Sequence, residues 1–189
     1  MNIAQQKHGQ PHPAIKSKVQ PLMDSVVQEF IQNASFVVMA TSNSNGDCDA
    51  SPKGGNPGFV KVLNDKTLML PDVSGNKLFQ SYENIESNPK VGLIFIIPGC
   101  DLTVRVNGRV HVVDRDELLR IGINGELFEA DDKTETLQAL QLQVDEVYPH
   151  CPKAFKFSHL WDTDFIAKNA KDKSERYWYG RWAKLMKNP

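Results

Sequence analysis

Between two prolines, Pro89 and Pro98, the chain carries Val91 to Ile97, a run in which every residue except Gly92 has a large apolar side chain. A run so apolar and so short predicts a strand buried on both faces and central in a sheet. It is far below the roughly 20 residues that a helix needs to span a bilayer. Whatever this chain folds into has to be assembled around that strand.

The flanking segments supply the partners. Phe36 to Thr41 is β-rich, and Asn45-Gly46 is a tight-turn pair, so a hairpin follows with its return strand from about Asp47 to Lys53. Gly54, Gly55, Pro57 and Gly58 end that pairing and leave Lys53 at a strand end. Phe59 to Leu63 and Thr67 to Leu70 make a second hairpin around Asn64-Asp65-Lys66. Leu102, Val104, Val106, Val110 and Val112 alternate with mostly polar neighbours, and Asn107-Gly108 interrupts them by a bulge or a turn. A late strand is expected from about Ala139 to Val147.

Helices are expected between these strands. Leu22, Met23, Val26, Val27, Phe30 and Ile31 share a helical face that runs to about Asn33. Pro71, Asp72, Ser74 and Gly75 read as a loop, and Lys77 to Ser87 as a short helix closed by Asn88-Pro89. Asp114 to Ile121 reads as a helix with acidic residues in its first turn. Pro149 to Leu160 reads as irregular or helical, and Arg176 to Met186 is aromatic and basic. Residues 1 to 18 read as a flexible N-terminal arm and 19 to 189 as a single domain. Many short strands with few helices predict a mainly β fold, a barrel with peripheral helices, rather than alternating βαβ units.

Charge narrows the partners. Lys and Arg number 22 against 23 Asp and Glu, so no global field attracts nucleic acid or an anionic membrane. The first ten residues lack the apolar stretch of a secretory signal. Three widely spaced cysteines, Cys48, Cys100 and Cys151, argue against a disulfide framework, and the cytoplasm fits best. His150 beside Cys151, with His159 beyond, lacks the four spaced ligands of a zinc site, and no metal is expected.

Two clusters suit an anion. Ser51-Pro52-Lys53-Gly54-Gly55 joins a hydroxyl and a cation to backbone that a ligand can approach, and Ser74-Gly75-Asn76-Lys77 stands where a loop enters a helix. Read alone, the first is equally an ordinary surface turn and the second an ordinary helix cap. Arg105 and Arg109 lie on an alternating strand, facing either a ligand groove or acidic cross-strand neighbours. Tyr177, Trp178, Tyr179 and Trp182, interleaved with Arg176 and Arg181, suit ring stacking, a dimer contact or core packing. The same pattern suits single-stranded nucleic acid, against which stand the near-neutral charge and the acidic stretch from 126 to 135.

In their shared order, Phe36 to Thr41 with Asn45-Gly46, Ala50-Ser51-Pro52-Lys53-Gly54-Gly55, Leu70-Pro71-Asp72, Gly75-Asn76-Lys77, Asn88-Pro89 and Leu102 to Gly108 resemble the pyridoxamine 5′-phosphate oxidase-like FMN-binding split-barrel superfamily, especially its bacterial flavin-nucleotide-binding branch. The resemblance spans residues 36 to 112, with a further matching segment from Cys151 to Trp161. It implies a split β-barrel homodimer with FMN at the subunit interface. Ser51 and Lys53 then contact the phosphate or the flavin edge, Asn76 and Lys77 complete the phosphate site, the backbone around Pro71 and Asp72 approaches the ring, Arg105 lines the groove, and Trp178 or Trp182 of the partner subunit closes it. The implied activity is a flavin-dependent oxidoreductase acting on a small organic molecule or a reduced nicotinamide, with no catalytic residue assigned. Two alternatives stand beside it: a flavin-binding protein for storage or sensing without turnover, and a haem-binding barrel using His111, His150 or His159.

Overall fold

The computed structural model describes residues 1–75, 77–128, 130 and 134–186. These form two compact units, Met1–Pro98 with Leu102–His150, and Gly99–Asp101 with the chain from Cys151 onward. In the first unit, the initial residues, expected as a loose arm, carry two short helices, α1 (Ile3–His8) and α2 (Pro13–Lys16), neither with a buried residue. Helix α3 (Ser25–Asn33) starts where the Asp24 carboxylate accepts from the Val27 N–H, and it buries Val27 and Ile31.

Seven strands follow: β1 (Phe36–Ser42), β2 (Cys48–Gly54), β3 (Lys61–Asn64), β4 (Thr67–Val73), β5 (Lys90–Ile96), β6 (Thr103–Asp114) and β7 (Thr136–His150). Helix α4 (Gln80–Ser87) lies between β4 and β5, and α5 (Arg115–Arg120) follows β6 with Asp114 as its N-cap. The strands make one antiparallel sheet in the order β2-β1-β5-β6-β7-β4-β3. In that order β2 and β4 stand five places apart. A flat sheet would separate them by roughly 24 Å at about 4.8 Å per strand. Yet Lys53 Nζ on β2 lies 2.9 Å from Asp72 Oδ1 on β4. The sheet is therefore curled until one edge meets the far side, giving a mainly β split barrel with peripheral helices.

The barrel interior is the main core. Val37 and Met39 of β1, Leu93 and Phe95 of β5, Val104 and Val106 of β6 and Leu140 and Leu142 of β7 pack with Leu68 and Leu70 of β4 and with Ile31 of α3. A smaller cluster outside the barrel joins Met69, Val113 and Ala139 to Leu118 of α5. The strand buried on both faces is thus β4, whose Thr67–Pro71 stretch is buried throughout, and not β5. In β5, Val91, Leu93 and Phe95 face the core, whereas Ile94 and Ile96 stay half-buried on the outer face. The physical reason is that Leu118 of α5 packs in one outer cluster with Met69 of β4 and Ala139 of β7, a layer that apolar content alone could not assign to one strand.

Other boundaries also shift. Pro71 and Asp72 belong to β4, not to a loop, paired with Ala139 and Gln138 of β7. Pairing with β3 stops at Met69, so β4 has one neighbour at Pro71, where a strand tolerates proline. Helix α4 begins at Gln80 rather than Lys77, because Lys77 (φ 61°) and Phe79 (φ 50°) take the left-handed conformation. Strand β7 outruns its expected span at both ends. Asn107-Gly108 is not a turn, since β6 continues through it; the register shift there is a bulge whose extra residue is Asp145 on β7.

The second unit holds α6 (Lys153–Ser158), α7 (Thr163–Asp172) and α8 (Glu175–Met186). The Trp161 indole N–H donates to the Cys100 carbonyl at 3.1 Å, and its ring stacks on Phe155. Among the described residues no helix is long and apolar enough to cross a membrane.

The bulge generates a test. A Cβ at Gly108 would collide with the Gln143 carbonyl and stand 3.0 Å from a Leu142 methyl. Gly108→Ala is expected to lower unfolding free energy by about 1–3 kcal/mol, as overpacking does, read from urea denaturation midpoints.

Candidate functional site

Strand β2 is polar, and its alternation sorts its side chains. Asp49, Ser51 and Lys53 are half-buried, while Cys48, Ala50, Pro52 and Gly54 are exposed. The half-buried trio lines a cleft of about 460 Å³, within the range of small-molecule sites. Its opposite wall is Pro71, Asp72 and Val73 of β4, and its end is the Ser74–Gly75 backbone with Lys77 through Tyr82. Phe59 and Gly125–Leu127 complete it. Curling of the sheet and placement of α4 across the seam make this cleft.

Helix α4 is fixed there by buried polar bonds. Asn84 Nδ2 donates to Thr41 Oγ1 at 3.0 Å, Asn88 Nδ2 to the Ser42 carbonyl at 2.9 Å, and the Ser81 hydroxyl to Asp49. Among the described residues no side chain caps the start of α4, whose Phe79, Gln80 and Ser81 line the cleft. First-turn N–H groups there carry the positive end of the helix dipole, which favours an anion.

The charges do not all stand free. Lys53 is paired with Asp72, both side chains being largely buried at 15% and 17% exposure. Lys61 is paired with Glu126 at the rim. Lys77 is exposed and has no ion-pair partner among the described residues. Tyr82 brings a third group to the pair. Its hydroxyl oxygen is shut off from solvent beside Asp72 and Gln138, yet meets hydrogen-bond geometry with no described residue. Burial first, and then the Asp72 charge, push the phenol far above its ordinary value of 10.0.

Of the residues singled out in the sequence, Ser51, Lys53, Pro71, Asp72 and Lys77 share this cleft. Asn76 lies outside the described residues. Arg105 does not line the cleft: it sits on β6 opposite Ile94 and Tyr148, its Nε buried without a partner among the described residues. Arg109 takes the cross-strand role, with Nε 3.7 Å from Asp145. Trp178 lies on α8 in the second unit, within ring contact of Tyr177 and Trp182. His111 and His150 are exposed on β6 and β7, and His159 is exposed in the second unit. Burial and then Arg105 lower the His150 imidazole below its usual value. Among the described residues no three His, Cys, Asp or Glu side chains are grouped to hold a metal ion.

Sequence reasoning missed Asp49, Tyr82, Phe59 and Glu126. Period two from Ser51 and Lys53 points to Asp49, whereas nothing local marks Tyr82.

The donor set fits a phosphate ester on a planar ring. It offers a serine hydroxyl, two ammonium groups and the start of α4, with Phe59, Pro71 and Val73 as apolar lining. The carboxylates of Asp49 and Asp72 are each occupied by a donor of the protein itself.

The sequence model of the family described as pyridoxamine 5′-phosphate oxidase matches residues 23–151. No curated protein matches the chain. Among solved structures, a variant of HupZ from Group A Streptococcus is similar at 18% identity and a TM-score of 0.51, covering 68% of this chain and 99% of that one. A protein from Lactobacillus delbrueckii described as a putative pyridoxamine 5′-phosphate oxidase is similar at 20% identity and a TM-score of 0.49, over 68% of this chain and 95% of that one. At such identity the HupZ likeness shows a shared fold.

Tyr82 gives the site a pH signature. A phenol held protonated in the folded chain, but free to ionise near pH 10 when unfolded, adds stability below that pH and withdraws it as pH rises above. Above pH 10 the wild-type protein is expected to lose stability more steeply than Tyr82→Phe, by about 1.4 kcal/mol per pH unit at most. Urea titrations at stepped alkaline pH read the two slopes.

Proposed function

Because this chain belongs to the pyridoxamine 5′-phosphate oxidase family, we propose that its cleft binds FMN and that the protein is a flavin-dependent oxidoreductase. The observation that carries this reading is that Ser51, Lys53 and Lys77 line a single cleft together with the start of α4. Lys77, with no counter-ion among the described residues, and the α4 amides supply charge for the phosphate; Ser51 adds a hydroxyl. Asn76 joins this set by its place in the sequence. Pro71 and Asp72 border the ring, and Phe59 supplies apolar contact. When bound, FMN supplies the electron-transfer chemistry, leaving the protein to orient a small organic donor or a reduced nicotinamide.

The same reading includes a homodimer with the flavin where two subunits meet. Supporting it is the outer face of β1 and β5, where Phe36 lies opposite Ile96 and Val38 opposite Ile94, all half-buried and apolar. The partner's Trp178 then closes the ring site, and Arg105, whose Nε is buried without an acceptor among the described residues, serves the groove from the outer side of the sheet.

Purified protein is expected to bind added FMN with quenching of its fluorescence, and to elute at twice the chain mass in light-scattering chromatography. Lys77→Ala is expected to weaken FMN by about 1.5–3 kcal/mol, the value of a hydrogen bond to a charged group. Failure of the wild-type protein to bind FMN rejects the cofactor. FMN that binds but cycles no faster than free flavin with nicotinamide donors and acceptors rejects turnover and leaves a flavin-binding protein.

A further inference from the structure

The cleft contains a conflict that its phosphate-binding role has to resolve. Lys53 is one of two ammonium groups lining it, and it is engaged at 2.9 Å by Asp72. A phosphate brought to Lys53 would place two anions on one cation. In a largely buried setting that repulsion is weakly screened, so Asp72 needs another partner if Lys53 is to turn to a ligand. The structure provides one: Tyr82, reaching in from the first turn of α4, presents a buried hydroxyl beside the same carboxylate, near enough to interact with it but outside full hydrogen-bond geometry with any described residue. An unpaired buried hydroxyl costs free energy, and it gains most when the acceptor it meets is charged.

We propose that Lys53, Asp72 and Tyr82 form an exchange relay, in which a phosphate reaching the cleft takes over the Lys53 ammonium while the Asp72 carboxylate passes to the Tyr82 hydroxyl. Tyr82 is a positioning residue that never touches the ligand. The relay rests on the phosphate-binding reading above and deepens it: it makes the cleft select ligands that carry a phosphate over the same ring without one. A neutral ligand offers Lys53 nothing in exchange for Asp72 and leaves the ion pair in place. The other carboxylates facing the cleft do not compete, since Asp49 accepts from Ser81 and Glu126 is paired with Lys61.

Tyr82→Phe keeps the ring and its edge contact with Phe79 while removing the one atom at issue. Fluorescence titration of full-length protein is expected to show FMN weakened about tenfold by Tyr82→Phe, with riboflavin unchanged. Asp72→Asn is expected to strengthen FMN by removing the competitor for Lys53. Adding Tyr82→Phe to Asp72→Asn is expected to have no further effect, because the carboxylate that needs the hydroxyl is gone. Equal FMN affinity in wild type and Tyr82→Phe overturns the relay. So does equal weakening of FMN and riboflavin, which marks a merely structural role, or a full Tyr82→Phe effect that persists in Asp72→Asn. Should the wild type bind no FMN, the cofactor reading falls, and the relay is read instead with inorganic pyrophosphate by isothermal titration. The same ranking of variants then supports it, and identical or absent binding in wild type and Tyr82→Phe overturns it.

Discussion

The contact between Lys53 and Asp72 joins strands that the order of the sheet keeps five places apart. Curvature sufficient to close that distance turns an open sheet into a barrel and sets the polar face of β2 against the end of β4. The cleft lies in the seam so formed. Interior packing of β1, β5, β6 and β7 against Leu68 and Leu70 drives the curling, because a flat sheet would leave that face wet. A single ion pair adds far less than the apolar core, but it marks the point where the two ends of the sheet meet.

Helix α4 turns that seam into a site. Its polar bonds to β1 and β2 through Asn84, Asn88 and Ser81 hold it across the gap, and its left-handed entry at Phe79 leaves the first turn without a side-chain cap among the described residues. Residues that hold the helix in place therefore also orient its amides and Tyr82 toward the cleft. Structure and ligand recognition share the same few bonds, which is why Tyr82 and Asp72 belong to both.

The proposed chemistry asks little of the protein beyond binding and orientation. Its charge arrangement is close to balanced, with Lys53 against Asp72, Lys61 against Glu126 and Lys77 left exposed. In the proposed reading, preference for a phosphate rests on which groups can be released, more than on a large positive field.

Alternation and turn chemistry within the sequence determined the hairpins at Asn45-Gly46 and Asn64–Lys66, the α3 face, and the local grouping of Ser51 with Lys53 and of Gly75 with Lys77. These features depend on neighbours in the chain, whose spacing is legible without a partner. Read alone, neither polar group rose above an ordinary turn or cap. Only the tertiary structure decided that both groups face one cleft, that β4 rather than β5 is covered on both sides, and that Pro71 and Asp72 continue a strand. It also decided that Lys53 is matched by Asp72 and that Tyr82, packed against the core, brings its hydroxyl beside that carboxylate. Each of these depends on which strand lies beside or across from which, and that is set by sheet curvature and by helices packed from distant segments, quantities that no local pattern encodes.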